Sequence, residues 1–253
     1  MVLHLAKKKE TNIIKLYMKH IVNAILLISL FTLVNSCSTL KIGKQKEQKV
    51  LMQTSQGEII LKLYKETPLH SANFIKLVKS GFYNGVLFHR VIDKFMIQGG
   101  DPDSKTAKPD EMLGNGDVGY SIPAEIRTPK IYHKYGALAA ALEGDQVNPE
   151  KSSSGAQFYI VTGKKFTPEE LKLMQDNKIY KYGNANDSTY KFSPQSISDY
   201  ETIGGTPHLD GNYTVFGEVI EGMDIVDKIS KVKTNKMDRP IADVKIIKMK
   251  LIR

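Results

Sequence analysis

The sequence predicts a mainly β fold, an antiparallel sheet or barrel whose open ends are covered by two helices. Three observations predict it. Segments with the period-two alternation of strands outnumber those with helical spacing, no strand–helix–strand unit repeats, and the two amphipathic helical stretches lie far apart in the chain. The composition, 41% apolar and 25% charged over 253 residues, is that of an ordinary globular protein long enough to bury a core.

The first 37 residues read as a targeting segment. Lys19 and His20 precede an apolar run from Ile21 to Val34, broken only by Asn23, Ser29 and Thr32. That run is short for a transmembrane helix, which needs ~20 residues, but it suits a signal peptide with a basic start and a small residue at its end. Met18 reads as the start, because residues 1–17 add little but charge. The close, Val34-Asn35-Ser36-Cys37, resembles a bacterial lipobox, in which Cys37 is lipidated and becomes the new amino terminus. Val34 stands where leucine is usual, and Asn35 where a small or aliphatic residue is. A plain signal peptide or an uncleaved anchor is the alternative. Residues 38–48 are a polar, lysine-rich linker, as expected between a lipid anchor and a folded domain spanning 49–253.

The domain opens with a hairpin, Val50–Thr54 and Glu58–Tyr64, turned at Gln56-Gly57. Thr67-Pro68 starts a helix with a capping oxygen and a first-turn proline, and Gly81 stops it. Val86–Ile92 is a strand, and the run Phe88–Asp101 (FHRVIDKFMIQGGD) continues it through a turn at Asp93-Lys94. Alternation then puts Arg90 and Gln98 on one sheet face beside Phe95 and Met96. From the residues alone, Arg90 suits either a backbone carbonyl of a ligand or a structural ion pair. Phe95 and Met96 suit either an apolar pocket or the core. Pro102–Gly119 is a long polar loop. Gly136–Glu143 (GALAAALE) is a strand of small residues, and Gly155–Thr162 an apolar one. Residues 163–205 read as an insertion laid over the surface, polar and aperiodic apart from a short helix from the Thr167–Glu170 capping box to about Met174. Tyr213–Gly217 is a strand, Glu221–Ser230 a helix with Met223, Ile225, Val226 and Ile229 inward, and Ile241–Ile252 a last strand.

Several classes of function are excluded. Of the formal charge of +9, +4 belongs to the segment before Cys37, and the rest is mixed with acidic residues rather than gathered in a basic stripe, so no nucleic-acid partner is expected. One cysteine permits no internal disulfide and no cysteine-rich zinc site, and six histidines without close pairing give no metal site. No cofactor is expected.

Five blocks in one order carry a resemblance: FHRVIDKFMIQGGD, a GxG loop followed by YSIPAE, GALAAA, GAQFYIVT and HLDGNYTVFGEVIEGMDIVDKI. Over about residues 50–252, insertion excluded, the chain resembles the cyclophilins, peptidyl-prolyl cis-trans isomerases. The resemblance implies a closed eight-stranded antiparallel β-barrel capped by two α-helices. It implies that Arg90 is the catalytic arginine with Gln98 beside it. Phe95, Met96, Tyr159 and Leu209 become walls of a proline pocket, with Ala141, Leu142, Gln157 and Tyr213 lining the peptide groove. Tyr159 stands where phenylalanine is usual, adding a hydroxyl that needs a partner. His208 and Tyr213 replace a tryptophan and a histidine of the eukaryotic members, and Leu142 replaces a polar residue. His89 reads as a satisfied core histidine. The implied function is isomerisation of X-Pro bonds in proline-containing peptides and in unfolded or exported proteins, with a lipid-anchored enzyme in the bacterial cell envelope, facing the periplasm. The alternative is a non-catalytic binding module or chaperone for proline-containing segments, which could dispense with Arg90.

Overall fold

The computed structural model describes residues 47–109, 111–144, 147–182 and 191–253, without the side chains of 177–182. The targeting segment with Cys37, and all but the end of the linker, lie outside the described residues. No helix among the described residues is long and apolar enough to cross a membrane.

The elements are, in order, β1 (Gln48–Thr54), β2 (Gly57–Leu63), α1 (Pro68–Lys79), β3 (Phe88–Ile92), β4 (Met96–Gly99), β5 (Ser121–Ile122), β6 (Ala137–Ala140), β7 (Ser153–Ser154), β8 (Phe158–Val161), α2 (Pro168–Tyr182), α3 (Pro194–Thr202), β9 (Val215–Glu221), α4 (Met223–Ser230) and β10 (Ile246–Ile252). Eight of the strands form one antiparallel sheet in the order β10-β1-β2-β9-β6-β8-β4-β3, and β5 pairs with β7 apart from it. The expected hairpin forms in register, Thr54 opposite Gly57, and the Thr54 hydroxyl accepts from the Gln56 and Gly57 amides.

Two expectations about the outline need correction. The sheet curls but is not a closed barrel. β3 and β10 touch at their starts, where Phe88 N–H donates to Val244 O (2.9 Å) and Ile246 N–H to Val86 O (2.8 Å). Beyond that point β3 turns elsewhere: the Val91 amide donates to Asp238 O in the preceding connector. Among the described residues there are also four α-helices, not two and a short one. α1 and α4 cover the core as expected, while α2 runs past Met174 to Tyr182; the added stretch, residues 175–182, contains neither Gly nor Pro to stop it. α3 was hidden in a polar stretch. Its start carries a Ser193 side chain accepting from Ser196 N–H (3.1 Å) and Pro194 in the first turn.

Alternation sorts the strands into two faces. One face holds Val50, Met52, Ile59, Leu61, Ile97, Leu138, Phe158 and Ile160. These pack with Phe74, Leu77 and Val78 of α1 and Val226 and Ile229 of α4 into the main core. Met96, Ala137, Ala139, Tyr159, Val161 and Val215 form a second cluster from the other face, joined by Phe95, Leu209 and Tyr213. The insertion is not aperiodic padding. Phe166, Leu171, Phe192 and Tyr200 form a small core of their own against Tyr132.

Helix α1 starts differently from its sequence signal. The Thr67 hydroxyl makes no cap; it donates back to Tyr64 O (3.4 Å). The exposed helix amides of Leu69 and His70 instead donate to the carboxylate of Glu125, at 3.2 and 3.0 Å. Glu125 also accepts from His70 Nδ1 (2.8 Å), and His70 Nε2 meets Ser153 Oγ (2.9 Å). The Ser–His–Glu order is that of a nucleophilic triad, but Ser153 has no exposed surface, so the chain of bonds fastens β7 and α1 together.

Candidate active site

Four residues lie in a row across the second face of the sheet. Arg90 on β3 pairs with Gln98 on β4, Gln98 with Tyr159 on β8, and Tyr159 with Ala139 on β6. In an antiparallel ladder, directly paired residues share a face with Cβ atoms about 5 Å apart. The row therefore sets an arginine, an amide and a phenol side by side over a bed made shallow by alanine. The turn expected at Asp93-Lys94 makes this register, with Lys94 at φ 57°. Above the row is a cleft of about 140 Å³ lined by Arg90, Phe95, Met96, Gln98, Ala141, Leu142, Tyr159, Leu209 and Tyr213.

All the residues singled out from sequence for catalysis and binding line this cleft except Gln157. Met96 and Tyr159 are buried in its floor, and Tyr159 meets Tyr213 edge-on at 5.9 Å between ring centroids. Phe95 stacks on His208 at 5.5 Å. Ala141 has its backbone committed inside the protein, N–H to Gln157 O and O from Ser154 N–H.

Gln157 has a different place. It is buried, and its Nε2 donates to Gly114 O and Gly116 O, both at 2.9 Å, while its Oε1 accepts from Gln98 Nε2 (3.0 Å). It thereby orients Gln98, leaving Gln98 Oε1 as an acceptor toward the cleft. Gln157 also lines an adjoining, larger cleft of about 1050 Å³, which shares Gln98, Ala141 and Leu142 with the first. The GxG loop is held in turn by Asp101, whose carboxylate accepts from the Asp103 and Gly114 amides at 2.8 and 2.5 Å. A Cβ on Gly100, at φ 102°, would come within 2.3 Å of Ala156 O, so this step of the motif requires glycine.

Electrostatically, Arg90 stands in the open. Its Nε lies 3.6 Å from Asp238 Oδ2, both side chains nearly half exposed, and its outer nitrogens have no ion-pair partner among the described residues. Asp238 is one of the residues that sequence reasoning missed, since Asp238-Arg239-Pro240 read only as a connector. Its neighbour Arg239 is buried and donates through Nη1 to Lys108 O (2.8 Å) and Glu111 O (2.6 Å), clamping the long loop to this connector. Asp238 takes a left-handed φ of 60° just before Arg239-Pro240, a conformation that Asp tolerates better than most residues, so the connector is built rather than slack. Burial raises the Tyr159 phenol well above its ordinary pKa, so it is a neutral donor.

His89, next to Arg90, is buried as expected but not satisfied: neither ring nitrogen has a hydrogen-bond partner among the described residues. Burial lowers its pKa from the ordinary 6.5 to about 4, against the opposing pull of Asp101 and with the help of Arg90 and Arg239. Because the folded value lies below the unfolded one, the neutral ring's contribution is complete above about pH 6.5 and is lost as the pH falls toward 4. The loss should be on the order of 3 kcal/mol, read as unfolding free energy in urea at each pH. His89→Gln should flatten that slope; an unchanged slope in the variant would assign the pH dependence elsewhere.

The description "Cyclophilin type peptidyl-prolyl cis-trans isomerase/CLD" belongs to the family whose model matches residues 49–251. A relative from Staphylococcus saprophyticus bearing the name peptidyl-prolyl cis-trans isomerase is 33% identical over 208 residues, 81% of this chain and 92% of the relative. One of the same name from Staphylococcus aureus is 35% identical over 205 residues, 80% of this chain and 91% of its own. Among solved structures, a Cryptosporidium parvum cyclophilin-type isomerase superposes with a TM-score of 0.58 at 23% identity, over 82% of this chain and 98% of its own. A second structure of that protein, determined in the presence of the dipeptide Ala-Pro, gives 0.57 over 81% and 99%.

Proposed function

Because this chain belongs to the cyclophilin-type peptidyl-prolyl cis-trans isomerases and so accelerates rotation about X-Pro bonds, we propose that the Arg90 cleft is where the rotation occurs, in an enzyme tethered to the cell envelope. The row Arg90–Gln98–Tyr159 across three paired strands is the observation that carries the site.

Rotation about a peptide bond breaks amide resonance and meets a barrier of ~18–20 kcal/mol. Prolyl bonds occupy both isomers and exchange in tens to hundreds of seconds. The catalyst has only to favour the twisted amide, in which the prolyl nitrogen pyramidalises and gains a lone pair. Arg90 donates to that nitrogen or to the adjoining carbonyl. No proton changes owner and no covalent bond forms, so the gain is transition-state binding by a donor already in position. Phe95, Met96, Tyr159 and Leu209 grip the proline ring while the carbonyl before it turns. Gln98 Oε1 accepts from a peptide N–H, its own Nε2 being held by Gln157. The residues flanking the proline run along Ala141, Leu142 and Tyr213 into the larger cleft. A protease-coupled assay on short X-Pro peptides, with wild type and Arg90→Ala, tests this reading. A wild type that binds the peptide without accelerating its isomerisation would be a holder of proline segments instead.

The tether is supported by the basic start, short apolar run and small residue that precede Cys37, the chain's one cysteine, and by the polar linker after it. Lipidated at Cys37, the enzyme works on exported proteins as they fold, at the periplasmic face of a membrane. Cells fed a labelled fatty acid should transfer label to the wild-type protein and not to Cys37→Ala; label persisting in the variant would refute the anchor.

A further inference from the structure

The Tyr159 hydroxyl, extra at the floor of the cleft, leads away from it. It donates to His133 Nε2 (3.0 Å), and His133 Nδ1 donates to Asp210 Oδ1 (2.8 Å), which also accepts from the His133 amide (2.9 Å). The other oxygen, Asp210 Oδ2, accepts from the hydroxyl of Tyr200 (2.6 Å). Donors and acceptors match at every step when Nδ1, the ring nitrogen facing the carboxylate, carries the proton and Nε2 faces the hydroxyl. All four residues are buried. Tyr200 belongs to α3, within the insertion, and is not part of the cleft lining.

One end and one inner member of this chain adjoin two walls of the pocket. Tyr159 is its floor, and Asp210 follows Leu209, another wall, directly in the backbone. The insertion is fastened at the same place by its own backbone. Thr206 N–H donates to His133 O (2.8 Å) and Tyr135 N–H to Gly204 O (2.9 Å), on the stretch leading into β6. A second hydroxyl, that of Tyr132, donates to Asp199 on α3 (2.6 Å). The approach is close enough that a Cβ on Gly205 would lie 2.3 Å from His133 O and 2.6 Å from Tyr200 Cε1.

We propose that the insertion is a positioning element of the isomerase site: Tyr200, through Asp210 and His133, sets the place of Tyr159 and Leu209 and so the fit of the proline ring. The inference rests on the reading of Tyr159 and Leu209 as pocket walls. It makes Tyr200, Asp210 and His133 positioning residues, none of them touching the peptide. Breaking any bond in a buried polar chain is costly, so its members hold one another in place. Coupling through it acts in both directions.

The test begins with the wild-type full chain. With 13C-labelled tyrosine, saturation by a short X-Pro peptide should shift the Tyr200 ring resonances although that ring lies outside the cleft; no shift overturns the proposal. Next, Tyr200→Phe, which deletes one hydroxyl and keeps the packing, should move the His133 ring nitrogen resonances without peptide. It should also raise KM for the peptide by about threefold with a smaller change in kcat. In a Tyr159→Phe background the same substitution should change KM by less than about 1.5-fold, because the floor no longer hangs on His133. A lowered Tm with KM and the His133 resonances at their wild-type values would show a merely structural contact, and equal effects in both backgrounds would show independence. Either result overturns the proposal. The His133 readout needs no turnover, so its failure is separable from failure of the Arg90 assignment, which the rate of Arg90→Ala decides.

Discussion

Arg90→Ala should slow X-Pro isomerisation by more than tenfold, and by about 10²-fold if its guanidinium supplies a donor as effective as those removed from oxyanion holes. The fold should be left intact. Arg90 is nearly half exposed, and so is Asp238, its ion-pair partner at 3.6 Å. Exposed pairs of this kind are worth ~0–1 kcal/mol, so the variant should unfold within about 1 kcal/mol of wild type. Activity lost with stability kept is the signature of a residue held in place for its ligand. Arg90→Lys separates charge from geometry. A lysine keeps the positive charge but not the planar fork that fixes the direction of the donors, so most of the loss should remain. An unchanged rate in a folded Arg90→Ala would remove the arginine from the mechanism.

Glu125→Ala should cost stability on the order of 3–5 kcal/mol, as much as truncating a core aromatic. The carboxylate is almost wholly buried and accepts from two first-turn amides of α1 and from His70 Nδ1. Removing it strands two buried donors, the His70 amide and Nδ1, and leaves the more exposed Leu69 amide to water. It also undoes the tie to Ser153, because His70 loses the partner that orients its ring. Burial keeps the His70 pKa below its ordinary value, against the pull of Glu125, so the ring does not supply a permanent positive charge whose loss could offset the damage. At ~2–4 °C per kcal/mol for a domain of this size, Tm should fall by on the order of 10 °C. Calorimetry showing a shift of only a degree or two would mean that the α1 amides find other acceptors. Glu125→Gln, which retains one oxygen, should fall between the two.

How much of this was legible in the chain follows from which signals are local. The hairpin at Gln56-Gly57, the turn at Asp93-Lys94, the stop at Gly81 and the capping box at Thr167–Glu170 depend on residues a few positions apart, and each forms. Alternation along β3 and β4 was enough to put Arg90 and Gln98 on one face; that they stand directly opposite each other came from the register. The five blocks then carried the cleft, and nine of its lining residues were named from them, all but Gln157 of those singled out. What alternation could not say was whether Phe95 and Met96 faced the core or a ligand, because a period of two marks faces without marking which one is inside.

The amino-acid order by itself determined the strands, the order of motifs and the residues brought to one face, because side-chain alternation and turn chemistry act within a few residues. Tertiary structure alone decided that the sheet stays open, that Glu125 rather than Thr67 caps α1, that Gln157 serves Gln98 from behind, and that Asp238 stands beside Arg90. It also decided that the hydroxyl of Tyr159 is satisfied through His133 and Asp210 from Tyr200 in the insertion. Those pairings join residues from 10 positions apart in the chain, Tyr200 and Asp210, to 148 apart, Arg90 and Asp238. A buried donor takes whichever acceptor the packed chain brings within reach, and that choice is made only when distant segments meet.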